Sequence, residues 1–253
     1  MNRRAVVATH HKTGTAWMAK VFKAVALRLS VPLVMMHSKK VLSAPVSIPS
    51  IIFNNHSDFR GVDWLLQDPD TRIFHLIRDP RDVIISAMHY HKTAREPWLH
   101  KPRSRFNGMT YQQELNSLPD DRARLIWEMD NTGGRTINAM KAWDYSLEKS
   151  CEMKYEELIE DVDAVEFARV ASHLGFDQNE VATCQEEFRR RSLFGRKRLP
   201  KSIHVRSGMS RQWESVYDLG LAQIFVEKFG TALIDLGYEP DNSWIGACRG
   251  VPG

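Results

Sequence analysis

Ala5-Val-Val-Ala-Thr-His-His-Lys-Thr-Gly-Thr-Ala-Trp17 decides how this 253-residue chain is read. A short β-branched run enters a tight turn carrying Lys12 and Gly14, and an amphipathic helix leaves it. A phosphate is well held by such an arrangement, because the first N–H groups of a helix lack intrahelical partners and the helix dipole favours negative charge there. The backbone of Thr13, Gly14, Thr15, Ala16 and Trp17 and the Lys12 ammonium are the candidate anion-binding groups. A Walker loop would need two glycines flanking four residues ahead of Lys and Ser/Thr. Here the lysine precedes the glycine, so the turn is of another kind.

Working outward, Ala5–His10 reads as a buried strand and Thr15–Leu29 as a helix. Its apolar positions Met18, Val21, Phe22, Val25 and Leu29 recur at helical spacing. Leu33–Met36, Ile51–Phe53 and Arg72–Ile77 offer further short strands, with a loop over Ser43–Ser50 and a short helix over Gly61–Gln67. Asp79 is a good N-cap with Pro80 at the first helical position and Asp82 placed for the capping interaction, so a helix runs to His91. From Lys92 to Leu118 prolines and glycine break the periodicity and predict a long loop. Helices are expected over Asp120–Asp130, Thr136–Glu148, Asp163–Leu174, Asn179–Arg190 and Asp218–Leu236, with Asn131-Thr-Gly-Gly134 as a separator and a strand over Cys151–Tyr155. Strands alternating with helices predict an α/β fold: a three-layer, P-loop-like arrangement with a central, mostly parallel sheet flanked by helices, as one domain over residues 1–253.

Hydrophobic residues make up 43% of the chain and charged ones 26%, the balance of a globular domain rather than a disordered chain. The net charge of +4 is unevenly spread: no acid falls between Arg189 and Lys201, where five arginines and two lysines gather. Such a tract is either a solvated basic face or a loop closing over an anionic ligand. Three cysteines, far apart, show neither metal-ligand spacing nor a disulfide framework, which implies a reducing compartment. No apolar run is long enough to span a bilayer and no signal peptide is evident, so a cytoplasmic location is expected.

Further segments carry chemistry. Arg78-Asp-Pro-Arg-Asp-Val-Ile-Ile-Ser86 puts an arginine at a strand's end and a serine two turns into the next helix. Arg78 is either an ion-pair partner of Asp79 or Asp82 or, with Ser86, a phosphate ligand. His56 follows a strand, and imidazole titrates near working pH, as a general base requires. Val205-Arg-Ser-Gly-Met-Ser-Arg-Gln-Trp213 returns basic residues late in the chain.

The order Lys-Thr-Gly-Thr-x-Trp resembles the 5′-phosphosulfate loop of sulfotransferases, which use 3′-phosphoadenosine-5′-phosphosulfate (PAPS) as sulfuryl donor. Arg78…Ser86 is similar to that family's 3′-phosphate segment, and Arg206, Ser207 and Gly208 fall in its late Arg-Lys-Gly-x-x-Gly-x-Trp motif, with Ser207 in place of lysine and Ser210 in place of the second glycine. The resemblance implies Trp17 stacking on adenine, a contact of about 1–3 kcal/mol, with Tyr155 near the same base. It implies Lys12 and His56 as catalytic residues, with Asn54-Asn55 where the family commonly has Lys-Thr. It further implies residues 189–213 as a cofactor-covering loop, residues 92–118 on the side of a small-molecule or glycan acceptor, and no need for a metal or for nucleic acid. A nucleotide kinase, which would need a Walker loop and a Mg²⁺ carboxylate, and a non-catalytic nucleotide- or polyanion-binding protein are the competing classes.

Overall fold

A computed structural model describes residues 1, 3–36, 46–192 and 209–248. In chain order the elements are β1 (Arg4–Thr9), α1 (Thr15–Leu29), β2 (Leu33–Met36), β3 (Ser50–Asn54), α2 (Trp64–Gln67), β4 (Thr71–Ile77), α3 (Pro80–His91) and α4 (Tyr111–Ser117). They continue with α5 (Asp121–Asp130), α6 (Thr132–Lys141), β5 (Ser150–Lys154), α7 (Tyr155–Glu160), α8 (Val165–His173), α9 (Gln178–Arg191), α10 (Leu219–Phe229) and α11 (Ala232–Asp235). Two compact units are formed, one from Met1–Arg78 and the segment that begins at Trp143, the other from Asp79–Ala142 and the C-terminal segment.

All five strands belong to the first unit and form one parallel sheet in the order β2-β3-β1-β4-β5. The run Ala5-Val-Val-Ala8 is apolar without alternation because both faces of β1 are covered. Ala5 and Val7 join one core with Met18, Val21, Phe22 and Val25 of α1, Phe167 of α8 and Phe188 of α9. Val6 and Ala8 face the other way, into a core with Ile52, Ile73, Phe59 and Leu65. Each Val, Leu, Ile, Phe or Met side chain there contributes about 1.5–3 kcal/mol on full burial, and Phe167 and Phe188 stack at 4.3 Å. The sheet flanked by helices is the α/β, P-loop-like arrangement expected from the sequence. The helix read as Thr15–Leu29 is α1 with the same bounds, ended by left-handed Ser30 ahead of Pro32.

The second unit corrects several expectations. Residues 92–118 are not one long loop. Thr110 and Gln113 form a capping box that starts α4, and Phe106, Tyr111, Leu99 and Ala94 build a small core with Tyr90. Their spacing was hidden by Pro97, Pro102 and Gly108, which only separate short turns. Gly133 and Gly134 do not separate helices but lie inside α6, and Thr136–Glu148 stops being helical after Lys141. Glycine is required there by close packing: a Cβ at Gly134 would stand 1.8 Å from the Met129 carbonyl oxygen, and one at Gly133 2.8 Å from Ile84. Asp218–Leu236 is two helices rather than one, broken at Gly230, whose φ is +58°. In the first unit, Tyr155, read as the last residue of a strand, instead begins α7.

α3 starts as read. Asp79 accepts the Arg81 backbone N–H at 2.9 Å, with Pro80 at the first helical position. Asp82 accepts the Trp213 backbone N–H at 3.1 Å, tying α3 to the C-terminal segment. The buried Arg81 guanidinium is held by Asp79 and Glu239, each at 2.7 Å, and stacks 3.5 Å from the Trp213 ring centre. Among the described residues no helix is long and apolar enough to cross a membrane.

Candidate active site

The strand order puts β1 between β3 and β4, so the chain turns one way to build β2 and β3 and the other way to build β4 and β5. In open parallel sheets ligands bind outside the carboxyl ends of the strands at such a switch point. The register aligns those ends: Ala8 pairs with Asn54, Thr9 with Leu76, and Ile77 with Lys154. The residues just beyond them are the Lys12 loop, His56, Arg78 and Tyr155. Four segments distant in sequence are thereby gathered at one edge.

The turn after β1 is closed on itself by hydroxyls. Thr13 and Thr15 both donate to the His10 carbonyl, at 2.9 and 2.6 Å, and Thr13 Oγ1 accepts the His10 backbone N–H. Thr9 donates to Thr15 Oγ1 at 3.0 Å. The chain then passes through left-handed Lys12 (φ +69°) and Gly14 (φ +106°) into α1. Gly14 is the N-cap, so no side chain satisfies the helix terminus, and the first turn holds no acid. A Cβ at Gly14 would meet Tyr155 Cδ2 at 3.0 Å and Leu76 at 3.3 Å. Backbone conformation and space therefore both demand glycine.

Arg78 is bound to this loop. Its Nη1 donates to the Lys12 carbonyl at 3.3 Å, and its guanidinium lies 4.4 Å from the centre of the Tyr155 ring. Tyr155 thus packs between Gly14 and Arg78. These contacts join Arg78 to the loop that follows β1. Trp17, half-buried, meets Tyr155 edge-on at 6.0 Å and Phe188 at 5.2 Å, and its indole Nε1 has no hydrogen-bond partner among the described residues.

His56 is exposed on the turn that follows β3. Asn54 organises that turn: its Oδ1 accepts from the His56 and Asp58 backbone N–H groups, and its Nδ2 donates to the Asp58 carbonyl at 2.9 Å. Ser57, at φ +49°, donates to the Thr9 carbonyl and pins the turn to the neighbouring strand. An asparagine at 54 makes these bonds and a lysine would not, so the departure from the family pattern gives rigidity in place of charge.

Lys12 through Trp17, Arg78 and Tyr155 are brought together, and His56 stands at the end of the adjacent strand. Ser86, half-buried on α3, belongs to the second unit. Arg206, Ser207 and Gly208, with most of the basic tract, lie outside the described residues.

The model of the sulfotransferase domain family matches residues 2–237. The chain belongs to the sulfotransferase family. No curated protein matches it closely in sequence. Among solved structures, mouse sulfotransferase SULT7A1 complexed with PAP is 16% identical at a TM-score of 0.62, over 92% of this chain and 84% of that one. Retinol dehydratase in complex with androsterone and inactive cofactor PAP is 14% identical at a TM-score of 0.56, over 91% of this chain and 80% of that one. Identities this low establish shared fold, and the family match carries the membership.

This sulfotransferase also holds a buried polar line that the sequence reading did not assemble. His10 Nε2 and His75 Nε2 lie 2.8 Å apart, and His75 Nδ1 is 3.0 Å from Glu152 Oε2. Burial drives His75 down to about 3 and raises Glu152 to about 7. His10 is held well below the usual imidazole value by burial and by its neighbours His75 and His56. A visible signal existed: His75 interrupts the otherwise apolar Ile73-Phe-His-Leu-Ile77, where a purely structural strand would carry another hydrophobe.

Proposed function

We propose that this chain transfers a sulfuryl group from PAPS to a hydroxyl of an acceptor molecule. The observation that carries the reading is the meeting of the Lys12 loop, His56 and the Arg78–Tyr155 pair at the switch point of a parallel sheet. In this scheme the open N-terminus of α1 holds the 5′-phosphate through the backbone of Thr13–Trp17. Trp17 and Tyr155 flank the adenine. Arg78, Ser86 and the Arg206-Ser-Gly208 segment hold the 3′-phosphate, which distinguishes this donor from ordinary adenine nucleotides.

His56 takes the proton from the acceptor hydroxyl as its oxygen attacks sulfur. An S–O bond to the acceptor forms while the S–O bond to the nucleotide breaks, and the released electron pair stays on the 5′-phosphate. Lys12, a mobile point charge, neutralises that oxygen as it departs. Sulfuryl transfer, like phosphoryl transfer, asks the protein for position and charge rather than for covalent work.

For the acceptor, residues 92–118 supply exposed Lys101 and Arg105, whereas Phe106 and Tyr111 are buried among themselves. That balance favours an acceptor with anionic or glycan character over a purely apolar alcohol. The test is transfer of labelled sulfate from PAPS to a panel of alcohols, phenols and glycans. Label should pass to at least one hydroxyl acceptor and be lost with His56→Ala. Turnover unchanged in His56→Ala would remove the base from the scheme.

A further inference from the structure

β1, β4 and β5 are successive parallel neighbours, and their register aligns Ala8 with His75 and His75 with Glu152. His10 directly follows β1. The hydrogen bonds His10 Nε2···His75 Nε2 and His75 Nδ1···Glu152 Oε2 therefore run across the sheet rather than along a strand. Both rings are buried, while the Glu152 side chain retains 31% of its exposure. The line begins at the first residue of the phosphate loop and ends in solvent. Trp143 stacks on His75 at 4.0 Å and 16°, and Tyr145 closes the ring's edge at 6.0 Å, so the imidazole is held in place.

Two imidazoles joined Nε2 to Nε2 cannot choose tautomers independently, since one must donate and the other accept. With Glu152 ionised, His75 carries its proton on Nδ1 and donates to the carboxylate. Its Nε2 is then a lone pair that accepts from His10 Nε2–H, leaving His10 Nδ1 as an acceptor. With Glu152 protonated every bond reverses, and His10 Nδ1 becomes a donor. One carboxyl proton on the neighbouring edge strand thus sets whether His10 Nδ1 donates or accepts.

We propose that Glu152, His75 and His10 form a proton relay that draws a proton from the loop after β1 to a carboxyl and later returns it. It rests on the reading of His56 as general base, for that residue supplies the proton. When His56 surrenders the proton taken from the acceptor, His10 receives one at Nδ1 and gives one from Nε2 to His75 Nε2. His75 gives one from Nδ1 to Glu152, which holds it as a neutral carboxyl; in the emptied site the same shifts run back, His10 Nδ1 releases the proton to water, and both rings regain their starting tautomers. Each ring gains one N–H bond and loses one, so neither becomes an imidazolium. That suits two rings that burial keeps neutral, and Glu152 is the group in the line whose charge changes near neutrality. Among the described residues, the titratable groups whose charge is felt along the line are His56 at His10, and Lys154, Tyr145 and, from the opposite face of β5, Cys151 at Glu152. Burial keeps Tyr145 and Cys151 protonated there.

The deciding experiment uses the full chain, free of nucleotide and labelled with ¹⁵N at histidine, with ring-nitrogen shifts followed from pH 5 to 9. His10 and His75 should exchange their Nδ1-H and Nε2-H tautomers together, at a midpoint near that of Glu152, without charging. Glu152→Gln, isosteric and unable to ionise, should fix both rings in one tautomer across the range. Ring shifts that do not move in wild type, or that move equally in Glu152→Gln, would overturn the relay. In turnover, Glu152→Gln should lower kcat at pH 8 by roughly tenfold or more and abolish the inflection near pH 7, and Glu152→Asp should restore that inflection. An unchanged kcat and pH profile in Glu152→Gln would refute the catalytic role even if the tautomers respond. Absence of sulfuryl transfer in wild type would instead count against His56 as base, leaving the ¹⁵N titration to judge the line itself.

Discussion

Two helices of this chain follow neighbouring parallel strands, and their N-termini are finished in opposite ways. α1 begins at Gly14, with no side-chain cap and no acid in its first turn. α3 begins at Asp79, which caps the Arg81 N–H, and carries Asp82 one turn in. A terminus already supplied with carboxylates has little to offer another anion, whereas one ended by glycine keeps its N–H groups and its dipole available. The same strand–turn–helix unit thus ends once in a terminus closed by carboxylates and once in one left without them. What separates them is whether the protein supplies the negative charge itself.

That contrast can be broken at several points. The largest effect is expected at Lys12 and His56, because the groups beside an open terminus should act on the transition state. Lys12→Ala should lower kcat by about 10²–10³, the scale of losing one charge-stabilising donor. His56→Ala should cost about 10²–10⁴, the scale of a general base. Both are read by labelled sulfate transfer. Next comes Gly14→Val, which forces a branched side chain into left-handed backbone against Tyr155. Strain of about 1–3 kcal/mol should weaken PAP binding by roughly tenfold or more in calorimetry.

The closed terminus should answer differently. Asp79→Ala should reduce stability by about 0.5–2 kcal/mol through the lost cap, and by more where Arg81 is left with Glu239 alone. The urea midpoint measures it.

The smallest expected effect concerns pH. His10 and His75 are depressed in the fold, so they favour folding fully above the ordinary imidazole value of 6.5. That contribution is lost as pH falls from 6.5 toward about 3, because the unfolded chain binds the protons that the fold refuses. Glu152, raised to about 7, opposes this in part, since it favours the fold at low pH and loses that contribution as pH rises through 7. Urea midpoints should therefore fall between pH 6.5 and 5 in wild type and fall less in His75→Phe. Equal slopes would contradict the burial of neutral histidine.

The first unit was legible in the sequence because its signals are local. Ala5–Val7 and Ile51–Phe53 are short apolar runs, Met18-x-x-Val21-Phe22-x-x-Val25 has helical period, and Lys12 and Gly14 mark the turn. In the second unit the deciding forces are not local. Gly133 and Gly134 look like a breaker until the Met129 carbonyl and Ile84 press against them. Phe106 and Tyr111 look like loop aromatics until the small core around Leu99 takes them in. Lys12, Arg78 and Tyr155 could be singled out by motif, and the fold sets Arg78 against both the Lys12 carbonyl and the Tyr155 ring. The His10–His75–Glu152 line was not, because it exists only once β1, β4 and β5 lie side by side.

The central claim is that the open terminus of α1, joined by Arg78, receives a nucleotide bearing both 5′- and 3′-phosphates. Calorimetric titration of wild-type protein with PAP and with AMP tests it directly. PAP should bind at least about tenfold more tightly than AMP, a difference of about 1.4 kcal/mol, and Arg78→Ala should erase most of that preference. Equal affinity for the two nucleotides, or a preference that survives Arg78→Ala intact, would contradict the account.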